Sequence, residues 1–471
     1  MTRAAIAALF LLAAAPATAD PLTDQVRSVL AGAGPGTRFG LVVTDEEGRE
    51  IVAIAPDDRF VPASNTKIFT TALAFATLAV DGPDTVGGAS VRIDGARIPD
   101  VILTGHGDAR LSGAADCVVD CLAALADAVA ARTRVVGNVI GDDTDFPDER
   151  WPQGMSWNNM VTRSGTAVSA LTVDDNIWTV TVAPGSAGNA PRIASDGFYA
   201  VDDAVVTGAT TDLSVTSTPG SGRVRIAGTI AAPVTLTIGI EDPAYRAAWL
   251  LQRMLAGRGV RVRGTAQVRH RPLAGSDAPR RGAPAPNPPA SAALAHLVPP
   301  PLVEDLVHTN KASENLHAEL LLRRVAAVVG SGSVADGEAA IDAMMARAGI
   351  ARWRYDFADG SGMSNYNRVT PRGTAAFLRW TATQRWSAAW RATLPIAGVD
   401  GTLAHRFAGT PLVGHLQGKT GSLNAASALS GFMIAASGKT LVFASFANDM
   451  PGDASVRAPI DAALALIAAA N

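Results

Sequence analysis

The chain has 471 residues, enough for two or three domains with a sizeable core. Its 40 basic and 43 acidic residues nearly cancel and form no long run of one sign, which argues against nucleic acid as a partner. Only four of the 40 basic residues are lysines: Lys67, Lys311, Lys419 and Lys439. Codon bias toward arginine explains most of that imbalance. A buried lysine, unlike arginine, can lose its proton and act as a base, so the retained lysines are where chemistry is sought first.

The N-terminus reads as an export signal. Arg3 precedes an apolar run, Ala4 to Ala15, too short to span a bilayer. Ala17-Thr18-Ala19 is a small-x-small cleavage site, so residues 1–19 are expected to be removed. No cysteine stands at the cleavage point and no later stretch reads as a transmembrane anchor. A soluble, exported product, periplasmic or secreted, is expected.

A short helix is predicted from Leu22 to Leu30, then strands Arg38 to Thr44 and Glu50 to Ala55 around the turn Asp45-Glu46-Glu47-Gly48. Pro62-Ala63-Ser64-Asn65-Thr66-Lys67 opens an apolar helix predicted to run to about Val80. Residues 85–284 change character. Short strand-like runs (Val101 to Thr104, Val135 to Ile140, Trp178 to Val182, Val224 to Ile226, Val234 to Ile238) alternate with Gly, Asp, Pro and Ser, with helices at Cys121 to Ala131 and Pro243 to Leu255. This reads as a β-rich insertion of one or two domains. Cys117 and Cys121, the only cysteines, form either a disulfide or two structural thiols.

Pro272 to Pro301 reads as an extended loop or linker. Helices follow at Leu302 to Asn310, Asn315 to Val329, Ser333 to Ala348 and Pro371 to Thr381. The chain closes with Leu416 to Lys419, the hairpin Ala428 to Ala436 and Thr440 to Ala447, and a helix, Ala454 to Ala470. A sheet drawn from both chain ends around a helical middle is an α/β (α+β) sandwich, from 20–84 and 285–471, split by 85–284.

Three motifs occur in order: S-x-x-K at Ser64–Lys67, S-x-N at Ser313–Asn315, and K-T-G at Lys419-Thr420-Gly421. Each is weak to moderate alone; in this order and context they are strong, and the set is the one associated with penicillin-binding proteins and β-lactamases. Ser64 and Lys67 share a helix face, so amine and hydroxyl can touch. Lys67 can take the Ser64 proton if its pKa is lowered, and Lys419 is the nearby cation expected to lower it. Ser313 is placed to relay a proton to a leaving amine, with Asn315 fixing the geometry. Lys419 and Thr420 are expected to hold an anionic carboxylate, and Gly421 to let a substrate backbone approach. The N–H groups of Ser64 and Ser422 are expected to form an oxyanion hole. Lys311 is expected at the surface, with a smaller chance of lying near the site, and Lys439 is given no role. The phosphate-loop alternative fails because Val413 and Met433 stand where glycine is required.

The sequence resembles the D-alanyl-D-alanine carboxypeptidase/endopeptidase family, the low-molecular-mass class C penicillin-binding proteins. The resemblance extends to Leu103-Thr104-Gly105-His106-Gly107-Asp108, Ser169 to Asn176, Asp359-Gly360-Ser361-Gly362-Met363-Ser364 and Leu394 to Leu403. The 249-residue step from Ser64 to Ser313 matches a catalytic domain split by a large insertion. The resemblance implies Ser64 as acylated nucleophile, Lys67 as base, Ser313 and Asn315 as second-motif partners, and Lys419 as substrate contact. It implies peptidoglycan stem peptides as substrate, β-lactams as covalent inhibitors and no cofactor. One position departs: Trp157-Asn158-Asn159 carries Asn159 where an Asp would meet a substrate ammonium, and an amide cannot form that ion pair. The rival readings are a β-lactamase or esterase, and a non-catalytic scaffold that binds cell-wall peptide.

Overall fold

The computed structural model describes residues 21–95, 97–186, 189–277 and 292–471. The expected export signal and the proline-rich residues 278–291 lie outside these.

One five-stranded antiparallel sheet joins the two chain ends. Its strands are β1 (Arg38–Thr44), β2 (Glu50–Ile54), β3 (Leu416–Leu423), β4 (Ala426–Ile434) and β5 (Thr440–Asn448), in the order β3-β4-β5-β1-β2. Both faces are covered, which is why β1 and β5 read as nearly continuous apolar runs. Leu41, Val43, Leu441 and Phe443 face helices α1 (Pro21–Leu30) and α8 (Arg457–Ala469) through Val26, Leu30, Ile460 and Leu464. Val42, Val442, Ala444 and Phe446 face a helical layer. That layer comprises α2 (Lys67–Thr77), α3 (Leu302–Lys311), α4 (Asn315–Val329), α5 (Val334–Arg347), α6 (Pro371–Ala382) and α7 (Ser387–Ala392).

Helix α2 is its centre. Every residue from Lys67 to Phe75 is buried, as expected of a helix apolar on all sides, and it packs against α3, α4 and α5. It stops at Thr77 rather than Val80, because Leu78 turns extended and the Val80 carbonyl accepts from Val303 N at the start of α3.

The β-rich insertion follows. A mixed five-stranded sheet runs in the order Ala266–Arg271, Val139–Pro147, Asp100–Thr104, Ser90–Asp94, Ala295–His296. Helices Leu122–Arg132 and Pro243–Gly257 pack on it through Leu125, Val129, Ala244 and Leu251. Two three-stranded sheets enclose a second small core around Trp178, Val180, Ile226 and Ile238. The loop-or-linker reading of Pro272 to Pro301 needs correction at its described ends. Gly275–Asp277 forms a 3-10 turn and Ala295–His296 pairs with Val91 and Ser90. The helix α7 was not foreseen.

Cys117 and Cys121 are bridged, with S–S 2.04 Å. The bridge forms because Cys117 lies in the loop and Cys121 is the extended residue just before the helix at Leu122.

Candidate active site

Ser64 sits in a 3-10 turn, Ala63–Thr66, that feeds directly into α2, so the hydroxyl stands one tight turn before the helix proper. The side chain of Lys67 is fully buried. Its Nζ lies 2.9 Å from Ser64 Oγ, 2.6 Å from Asn315 Oδ1 and 2.7 Å from the Ser361 carbonyl oxygen. Two of these neighbours can only accept. A neutral amine has two hydrogens and one lone pair; the two carbonyls take the hydrogens and leave the lone pair for the Ser64 hydroxyl.

Burial pushes the Lys67 amine down to about 8, against the carboxylates of Asp359, Glu319 and Glu314, which favour its charge. Lys419 was expected to do that lowering. Desolvation does it instead, and the repulsion between the two lysines appears on Lys419, which burial and then the Lys67 charge hold well below the usual range.

The second and third motifs converge on the same place. Ser313 occupies a left-handed conformation (φ 66°) just before α4, a strain of about 1–3 kcal/mol that positions its hydroxyl. Lys419 Nζ donates to Ser313 Oγ at 2.8 Å and to the Thr420 carbonyl at 2.9 Å. Asn65 Nδ2 donates to the Lys419 carbonyl at 2.5 Å, tying β3 to the Ala63–Thr66 turn. Thr420 Oγ1 lies 2.7 Å from Thr402 Oγ1. Ser64, Ser313, Thr420, Gly421 and Ser422 line one cleft of about 720 Å³, together with Ser164, Thr402, Arg406 and Arg457.

Gly421 meets a constraint that its place in the motif does not announce. A Cβ there would stand 2.5 Å from the Pro62 carbonyl oxygen, 2.9 Å from Asn65 N and 3.1 Å from Ser64 N. The missing side chain there admits the Ala63–Thr66 turn. Lys311 pairs with Asp400 and lies by the S-x-N motif, lining a shallow depression with Gly401 and Thr402. Lys439 is exposed at its hairpin.

Several participants were not identified from sequence. The segment Asp359 to Ser364 entered the sequence reading only as a stretch that resembles the family, with no role given to its residues. Asp359 is buried and accepts from Gly362 N, Ser364 N and Asn367 Nδ2; buried Glu319 accepts from Gly360 N and Ser361 N. These bonds aim the Ser361 carbonyl at Lys67. Burial, reinforced by the neighbouring Asp359 charge, pushes Glu319 up to about 7. The insertion also reaches the site: Asn315 Nδ2 donates to the Ser164 carbonyl at 2.9 Å. Asn159 lies one turn earlier, its carbonyl accepting from Thr162 N at 2.9 Å.

His317, two residues past Asn315, joins three elements. Buried on α4, it contacts Asp305 on α3 and lies 3.1 Å from Asp175 of the insertion. Burial opposes its charge, yet the two carboxylates push it up to about 10. Its folded value is therefore raised above the ordinary 6.5, so its stabilisation is complete below about 6.5 and is lost as pH rises through about 10. Thermal unfolding is expected to show stability falling over that window, by on the order of 1 kcal/mol per pH unit at most. His317→Gln should flatten the slope.

An antiparallel sheet carrying K-T-G at its edge, packed on a helix that opens with S-x-x-K, defines a serine peptidase of the penicillin-binding and β-lactamase-like fold. A sequence profile of the D-Ala-D-Ala carboxypeptidase 3 (S13) family matches residues 22–471. The chain belongs to that family and is a serine-type D-Ala-D-Ala carboxypeptidase. It is 31% identical over 94% of its length to a D-alanyl-D-alanine carboxypeptidase of an Actinomadura species, covering 85% of that protein. It is 25% identical over 88% of its length to the D-alanyl-D-alanine carboxypeptidase DacB of Haemophilus influenzae, covering 86% of that protein. Penicillin binding protein 4 of the same organism shares the fold, with TM-score 0.78 and 24% identity over 93% of this chain and 97% of that one. No helix among the described residues is long and apolar enough to cross a membrane.

Proposed function

We propose that Ser64 is the acylated nucleophile and Lys67 its general base, and that the substrates are peptidoglycan stem peptides. The observation that carries this is the Lys67 amine held by two carbonyl acceptors with its third contact on Ser64 Oγ. Ser64 Oγ attacks the carbonyl carbon of the penultimate D-Ala as its proton passes to Lys67. The N–H groups of Ser64 and Ser422 receive the developing oxyanion. Thr420 and Lys419 hold the terminal carboxylate, whose arrival favours the charged form of Lys419. As the C–N bond breaks, Ser313 gives its proton to the leaving nitrogen and takes one from Lys419. Water then cleaves the ester: its proton goes to Lys419 through Ser313, Lys67 returns one to Ser64, and both lysines regain their starting states.

The same cleft accepts D-amino cross-links, giving endopeptidase activity. β-Lactams acylate the same serine; a similar protein of known structure, the Haemophilus influenzae penicillin binding protein 4, has been seen complexed with a β-lactam. Asn159 favours an uncharged or amidated side chain on the third stem residue. Residues 1–19 direct export, and residues 20–84 with 302–471 form the catalytic domain around an insertion that starts near residue 85 and whose sheet still includes Ala295–His296.

The test is mass spectrometry after incubation with penicillin. One lasting adduct on Ser64 is expected. Rapid turnover without an adduct would assign a β-lactamase, and no reaction a scaffold. The acylation rate should rise with pH up to about 8, where Lys67 deprotonates, and then level off. A flat profile from pH 6 to 9 would remove Lys67 from the base role.

A further inference from the structure

The two ends of the Asn315 amide are nearly the same size, so only hydrogen-bond partners decide which faces Lys67. Oδ1 lies 2.6 Å from Lys67 Nζ and Nδ2 donates to the Ser164 carbonyl at 2.9 Å. If the amide were reversed, Nδ2 would donate to the Lys67 lone pair, the pair needed by the Ser64 proton. The base would be occupied and disarmed. The correct orientation therefore depends on a backbone carbonyl supplied by the insertion.

That carbonyl is held by an ionic clamp. Arg163 reaches Glu314 Oε1 at 2.9 Å and Asp175 Oδ2 at 3.2 Å, so it ties the turn Arg163–Gly165 to the residue beside Asn315. Asp175 is itself anchored to His317. Asp174, Asp175 and Asn176 all have left-handed backbones (φ 50°, 54° and 53°), an arrangement that non-glycine residues adopt only when their surroundings hold them there. The Asn176 side chain, buried and donating to the Ala167 carbonyl at 2.8 Å, does that holding. The strained turn presents Asp175 to Arg163 on one side and His317 on the other.

We infer that Arg163 is a positioning residue for the acyl-transfer reaction: it clamps the insertion to Glu314 and Asp175 so that the Ser164 carbonyl fixes the orientation of the Asn315 amide toward Lys67. This rests on the roles proposed above for Lys67 and Asn315. It makes the insertion part of the catalytic apparatus through a carbonyl that no side-chain motif encodes. Arg163 is 42% exposed, so its removal leaves no buried hole.

The experiment compares Arg163→Gln, Arg163→Lys, Glu314→Gln and Asn315→Ala with the unaltered protein. The readouts are the rate of Ser64 acylation by penicillin, kcat and KM on a D-Ala-D-Ala peptide, and Tm. Arg163→Gln should lose about tenfold in acylation rate and kcat, the loss of roughly one well-placed polar contact, with KM changed by less than about twofold. Arg163→Lys should recover part of the loss. Glu314→Gln breaks one arm of the clamp and also removes a charge that favours protonated Lys67; compared above about pH 9, where Lys67 is neutral in both proteins, it should lose about threefold and decides the matter if Arg163→Gln unfolds. The inference is overturned if Arg163→Gln, or a folded Glu314→Gln in its place, acylates within about 1.5-fold of the unaltered rate while Asn315→Ala is impaired. If Asn315→Ala acylates normally, the reading of Asn315 itself fails.

Discussion

Lys67→Arg is expected to slow acylation of Ser64 by at least about 10³-fold while the protein still folds. The reason is stoichiometric. A guanidinium stays protonated in proteins and offers no lone pair, so it can fill the site without accepting the serine proton. The carbonyls of Asn315 and Ser361 would still receive hydrogen bonds, and Asp359 and Glu319 would still compensate the charge. Circular dichroism and Tm should report a native fold, and mass spectrometry with penicillin should report little or no adduct. An adduct forming at the unaltered rate would move the base elsewhere, with Lys419 the first candidate, 2.8 Å from Ser313 Oγ.

Gly421→Ala is expected to be nearly as damaging, although it adds a single methyl group. The new carbon would meet the Pro62 carbonyl oxygen at 2.5 Å and Asn65 N at 2.9 Å. Both are backbone atoms, and the Asn65 side chain is already bonded to the Lys419 carbonyl, so neither partner can swing aside. Strand β3 must move off the nucleophile turn, taking Lys419, Thr420 and Ser422 with it. Misplacing an oxyanion donor costs about 10²–10³-fold in rate, and overpacking costs about 1–3 kcal/mol of stability. Stopped-flow acylation and thermal unfolding measure the two. Acylation at the unaltered rate would show that the 63–66 turn does not need this close contact.

The parts of the site legible in the sequence are those whose chemistry resides in side chains at fixed spacing. Ser64 and Lys67 share one turn, and Lys419 begins a motif on a strand, so their residue types announce them. The partners that arm them are mostly main chain. The Ser361 carbonyl that holds Lys67 and the Ser164 carbonyl that holds Asn315 could belong to any residue type, so no letter in the sequence points to them. The crowding at Gly421 was not legible, because it arises from a turn more than 350 positions earlier. The sheet was readable because β1, β4 and β5 are apolar on both faces. The pairing of Ala295–His296 was not, because two residues carry no periodicity.

Strand β3 lies at the margin of its sheet, but only part of that margin is open. Gly418 N donates to the Pro395 carbonyl at 3.0 Å and Ala397 N to the Leu416 carbonyl at 2.9 Å, so the first half is already occupied by the chain itself. What remains, from Lys419 to Leu423, is about 16 Å of rim. A guest of a few residues can lie along it as a sixth strand, read chiefly through its own main chain. A second protein molecule finds too short a ledge to continue the sheet, so the same truncation that admits a peptide tail discourages edge-to-edge stacking.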